Sequence, residues 1–109
     1  MTVYVDDMRM QAQVGRLNAR WSHLMADTRE ELVEFGKRIG MQERWLQDKR
    51  SGVHFDVTDP KRSRAIVLGA VPIECSSPEW RRVVQLARAQ HLTATHGDPQ
   101  CRLNCLGRS

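Results

Sequence analysis

The chain has 109 residues, a net charge of +4, 40% hydrophobic and 28% charged residues; this suits one hydrophobic core, excludes a second, and excludes a disordered polymer. No apolar run reaches the ~20 residues of a membrane span, and the first residues lack the charged-then-apolar layout of a signal peptide, so a cytoplasmic location away from membranes is expected. Three cysteines do not make a disulfide framework.

In chain order, Val3-Tyr4-Val5 suits a buried strand that ends at Asp6 and Asp7. Residues 8–26 are read as a structured loop with one helical turn, because Gly15 breaks any helical pattern and Trp21-Ser22-His23-Leu24 shows no period. Thr28-Arg29-Glu30-Glu31 is a capping box, Leu32, Phe35 and Ile39 follow at helical spacing, and Gly40 is a left-handed stop. Arg44-Trp45-Leu46-Gln47 reads as a short strand, Lys49 to Gly52 as a turn, and Val53-His54-Phe55-Asp56-Val57 as an alternating strand. Asp59-Pro60 starts a second helix that ends at Gly69, with Asp59 as its cap. Val71-Pro72-Ile73 is a short strand whose proline points to an edge. Ser76-Ser77-Pro78-Glu79 caps a third helix carrying Trp80, Val83, Val84, Ala87 and His91 on one face. Alternating strands and helices predict an α/β fold: a small, mostly parallel sheet of three to four strands with about three helices, in one domain over residues 1–92. Residues 93–109 read as a polar tail.

Several of these segments, in this order, resemble the family of small proteins called domain of unknown function 4031. They are Met1 to Met8, Arg20-Trp21-Ser22-His23-Leu24 with Ala26-Asp27, Glu30-Glu31-Leu32, Gln47, His54-Phe55-Asp56, and Lys61-Arg62 with Leu68-Gly69-Ala70. The resemblance covers roughly residues 1–75 and departs at Phe55, where a tyrosine is more usual. It implies a protein encoded by actinobacteria or by phages that infect them, and it implies no particular activity.

Polar residues gather where a parallel α/β fold binds ligands, at strand ends and helix starts. Asp6 and Asp7 end the first strand, and Gln47 and Asp48 the second. His54 and Asp56 share a face if extended, and His23 and Asp27 share one if helical. Imidazole with carboxylate suits a divalent metal (zinc, magnesium or manganese) or acid–base catalysis. The expected site is hydrolytic, with Asp6, His54 and Asp56 as ligands or bases, His23 orienting substrate, and Gln47, Arg16 or Arg62 binding it, the arginines through a phosphate. The structural alternative is that these aspartates cap helices and these histidines fill half-buried positions. Tyr4-Val5-Asp6-Asp7 also matches the catalytic turn of reverse transcriptases, but this chain is too small for a polymerase palm. Trp21, Trp45 and Trp80 are either base-stacking platforms or core residues.

A second candidate site is the tail. His91, His96, Cys101 and Cys105 form a ligand set for tetrahedral zinc, without the Cys-x-x-Cys knuckle of a finger; the alternatives are a disordered tail with two free thiols, or a Cys101–Cys105 or intermolecular disulfide. Two function classes follow: a small metal-assisted hydrolase of a phosphoester or nucleic acid, or a non-enzymatic module that binds nucleic acid, another polyanion or a host protein. The binding module draws on charge asymmetry. Residues 1–60 hold nine Lys+Arg and ten Asp+Glu (about −1), and residues 61–109 hold eight against three (about +5). It needs Arg62, Arg64, Arg81, Arg82 and Arg88 on one face.

Overall fold

Strand alternation sets the layers. The computed structural model describes the backbone of residues 2–96 and the side chains of 2–91. Its strands are β1 (Val3–Asp6), β2 (Met10–Val14), β3 (Leu17–Ala26), β4 (Gln47–Lys49), β5 (Gly52–Thr58) and β6 (Val71–Ile73). Its helices are α1 (Arg29–Arg38), α2 (Asp59–Val67) and α3 (Pro78–His96), with a single 3₁₀ turn at Glu43–Trp45. Val3 and Val5 of β1, Leu24 and Ala26 of β3, and Val53, Phe55 and Val57 of β5 point to one face, where they pack with Leu32 and Phe35 of α1 and Ala65 of α2. The intervening residues point to the other face, where Met25 meets Trp80, Val83 and Ala87 of α3. The result is three layers, with two helices on one side of the sheet and one on the other.

The sheet runs β4-β5-β3-β1-β6, with β2 paired to β3 off that path. It has six strands and is mostly antiparallel. Only β1 and β6 pair in parallel. The expected mostly parallel sheet of three to four strands is therefore corrected. The segment 8–26, expected as a loop, is instead a hairpin whose second strand, β3, runs through the centre of the sheet and reverses its neighbours. Its outer half carries no apolar alternation because it leaves the core: Met10, Val14 and Leu17 are exposed. Arg44 and Trp45 form the 3₁₀ turn, and the expected strand begins only at Gln47.

The helix starts follow local chemistry. Thr28 Oγ1 accepts from the Glu31 N–H at 3.2 Å, the hydroxyl half of the expected capping box, while Glu31 Oε2 is buried without a hydrogen-bond partner among the described residues. Gly40 takes φ +85° after α1, as the glycine stop predicts. Ser77 Oγ accepts from the Trp80 N–H and starts α3. At α2 the cap position is Thr58 rather than Asp59, with proline in the first turn. Asp59 instead turns outward to the Arg9 guanidinium. Pro72 sits in β6, an edge strand, where its missing donor costs no ladder bond.

Gly36 is the tightest helix-to-sheet approach. A Cβ there would stand 2.6 Å from Cε2 of the fully buried Phe55. Alanine adds helix propensity, but the ring is confined on all sides and overpacking dominates. Gly36→Ala is expected to lower unfolding free energy by about 1–3 kcal/mol in urea denaturation, whereas an exposed helix glycine would gain stability from the same change.

Candidate functional site

The face of the sheet that carries α3 also carries a polar cluster beside it. Register places it: Asp56 of β5 is opposite His23 of β3, and His54 is two residues back on the same face of β5. Asp6 ends β1 beside His23, and its carboxylate is fully buried. Asp6 Oδ1 accepts from the backbone N–H of His23 at 2.9 Å and of Met8 at 3.3 Å. Asp6 Oδ2 lies 2.7 Å from His23 Nδ1. Because a carboxylate only accepts, His23 carries its proton on Nδ1 and presents Nε2. His54 is held alike: its Nδ1 donates to the Gly52 carbonyl at 3.0 Å, so Nε2 is its outward atom.

Both outward nitrogens face the same oxygen. Asp56 Oδ1 is 3.3 Å from His54 Nε2 and 3.9 Å from His23 Nε2. The three side chains offer ligand atoms that all lie within 4.8 Å of one another, and the imidazoles meet edge to face at 5.1 Å. His54 is buried, while Asp56 (42% exposed) opens the cluster to solvent. The hydrogen bond to Asp6, reinforced by the charges of Asp6 and Asp56, raises the His23 pKa against the opposing effect of burial. The adjoining His54 imidazole is the largest influence holding the Asp56 carboxyl below its ordinary value, against the opposing effect of burial.

A chain bulge supports this geometry. Between Asp6 and Met10, the three residues Asp7, Met8 and Arg9 stand opposite the single Ser22 of β3. Arg9 takes φ +45° there and donates its N–H to Ser22 Oγ. Bulges of this kind re-aim side chains next to sites. Arg62 of α2 donates its Nε to the Asp6 carbonyl at 2.8 Å, fixing the same turn from the other layer.

Next to the cluster lies an open cleft of about 440 Å³. Val14 and Leu17 of the hairpin, Trp21, Met41 and Trp45 supply its apolar walls. Arg44, Gln47, Thr58 and Lys61 supply its polar positions, and Asp56 joins it to the cluster.

The residues singled out in the sequence fall into three groups. Asp6, His23, His54 and Asp56 come together, with Gln47 paired across from His54. Their arrangement differs from the expected one: His23, not Asp6, completes the inward-facing set, and Asp6 stands behind it. Arg16 lies in the turn between β2 and β3, outside the cluster, and Arg62 is engaged with backbone. Asp27 is separate. His23 and Asp27 do not share a helical face, since β3 is a strand, and Asp27 accepts from Thr2 N–H and Tyr4 O–H instead. Asp48 binds Arg29 and His91, and Asp7 accepts from the Cys75 N–H. The His96 side chain, Cys101 and Cys105 of the second metal candidate lie outside the described residues, so only its His91 is placed. Trp80 is core, whereas Trp21 and Trp45 line the cleft. That cleft was missed in the sequence; the apolar Val14 and Leu17 flanking a Gly15 turn were its available signal. The five arginines proposed as one basic face divide between α2 and α3, which pack on opposite faces of the sheet.

A three-layer α/β protein with a His–His–Asp cluster on one sheet face is thus the class of molecule defined here. The chain belongs to the family described as Protein of unknown function (DUF4031), whose model matches residues 3–90, further than the motifs of residues 1–75 and well into α3. No curated protein and no solved structure matches the sequence. Among the described residues no helix is long and apolar enough to cross a membrane.

The Asp6–His23 pair links stability to pH. A histidine whose folded pKa is raised contributes stability that is complete below its unfolded value, about 6.5, and lost as pH rises through the folded value. In chelator-treated protein, unfolding free energy is expected to decline across that interval, and Asp6→Asn to flatten the decline. An NMR titration that placed the His23 imidazole at or below the ordinary value would contradict this.

Proposed function

We propose that this protein is a metal-assisted phosphoester hydrolase in which His23, His54 and Asp56 hold one divalent cation. A single observation carries the reading: both imidazoles are tied through Nδ1, one to a buried carboxylate and one to a carbonyl, and both turn Nε2 toward one carboxylate oxygen. Metal-binding histidines have their second nitrogen anchored in this way, which fixes tautomer and ring orientation. Two imidazoles and a carboxylate suit zinc or manganese better than magnesium, which prefers an all-oxygen shell. Three protein ligands leave positions for a water and a substrate oxygen. A cation held there would supply an acidified water for attack on phosphorus and a Lewis acid for the phosphate, the water's proton passing to solvent. The ester P–O bond would then break, and the departing oxygen would take up a proton. Asp6 serves as a positioning residue. Lys61 and Arg44 at the adjoining cleft supply charge for a phosphate.

Calorimetric titration with zinc and with manganese is expected to give one site per chain, abolished by His23→Ala or His54→Ala. Asp6→Asn should weaken the site about 10–100-fold while leaving its stoichiometry at one. Apparent affinity should fall by about tenfold for each pH unit below the raised His23 pKa, since the metal must displace that proton. Hydrolysis of bis(p-nitrophenyl) phosphate should follow occupancy. Failure of either metal to bind stoichiometrically at neutral pH would overturn the reading.

A further inference from the structure

The cleft next to the cluster has a chemistry that the cluster does not explain. We infer that it is a nucleobase pocket, so that the phosphoester taken by the site is a nucleotide or the end of a single-stranded nucleic acid. This rests on the hydrolase reading for the fate of the phosphate, but the base pocket stands on its own residues.

Four observations carry it. First, Trp21 and Trp45 both line the cleft, and neither does the work of a core residue. Trp45 is 41% exposed in a single 3₁₀ turn. Trp21 is fixed by its Nε1–H donating to the Ala12 carbonyl at 2.9 Å, so its ring is a preset platform. Second, Trp21 is opposite Thr58 and His23 is opposite Asp56 in the same ladder. The Trp21 row is therefore two residues, roughly 7 Å, along the strands from the His23 row. A base on that platform would lie one sugar ring from the cation position. Third, the charge is asymmetric in the right sense. Arg44 and Lys61 line the cleft, and the one carboxylate among its lining residues is Asp56, at the metal end. Lys61 lines the cleft with its stem, and its ammonium donates to the Ile39 carbonyl at the end of α1, at the cleft's border. Fourth, the size fits: about 440 Å³ lies within the range of small-ligand sites. Aromatic platforms beside cations are the means by which proteins hold unpaired bases, since every base has a stacking face and every nucleotide a phosphate. A purely aliphatic ligand would leave the Arg44 charge without a counterpart, and a base offers two indoles a flat stacking face larger than that of a sugar phosphate.

The test uses the full chain and equilibrium dialysis or calorimetry with adenosine 5′-monophosphate, adenosine, ribose 5-phosphate and a short 5′-phosphorylated oligothymidylate. Adenosine 5′-monophosphate should bind far more tightly than ribose 5-phosphate. Trp45→Ala should weaken it by about tenfold or more, and Trp45→Phe should restore most of the loss. Because Trp45 is exposed and outside both core clusters, neither variant threatens folding. His54→Ala should retain adenosine binding, which separates failure of the metal reading from failure of this one. Tighter binding of the oligonucleotide would identify a strand end as the source, and equal binding a free nucleotide; both carry the proposal. Equal affinity for adenosine 5′-monophosphate and ribose 5-phosphate, or no effect of Trp45→Ala on nucleotide binding, would overturn it.

Discussion

Burying the Asp6 carboxylate at the end of β1 obliges the surrounding chain to supply donors, because an unsatisfied buried charge costs several kcal/mol. The donors come from three places: the His23 backbone, the His23 ring and the Met8 backbone. The first fixes how β1 lies against β3. The second fixes the tautomer and direction of an imidazole. The third closes the bulge that lets the chain step from β1 into β2. One side chain thus sets a strand alignment, a turn and the orientation of a candidate ligand together. Replacing it would disturb the fold and the site at once.

Helices were legible in the sequence because their signals are local. Thr28, Gly40, Pro60 and Ser77 act on backbone groups a few residues away, so their meaning does not depend on the rest of the molecule. β1, β5 and β6 were legible from β-branched runs. The hairpin of β2 and β3 was not. Its outer half has no core to face, and its inner half places His23 and Trp21 where a strand detector looks for aliphatic residues. Missing it also misdirected the sheet, since β3 is what makes β1 and β5 neighbours at one remove and antiparallel to their common partner. Strand direction is a property of long-range pairing, which local propensity does not encode.

The site was legible in its residue types and not in its division of labour. Asp6, His23, His54 and Asp56 were identifiable as polar residues at element ends, and all four meet. Which of them face inward depends on side-chain alternation across three strands whose register only the folded sheet supplies. Asp48 and Asp27 looked equivalent in sequence and are instead consumed by Arg29, His91 and Tyr4 in structural pairs. The cleft escaped because its walls come from a hairpin, a 3₁₀ turn and α2, segments that sequence separation keeps apart.

The β2–β3 arm adds a mechanical point. The cluster is built on β1, β3 and β5, which are clamped between helix layers, whereas β2 is paired only to β3 and the hairpin extends beyond the end of β5, whose Thr58 is opposite Trp21. One wall of the cleft is therefore a cantilever attached to an otherwise rigid plate, rooted at the left-handed Arg9. The His–His–Asp cluster sits on the plate, and the Val14 and Leu17 wall of the cleft sits on the beam. Substitutions at its tip, around Gly15 and Arg16, would act on the wall formed by Val14 and Leu17 before they reached the imidazoles of β3 and β5.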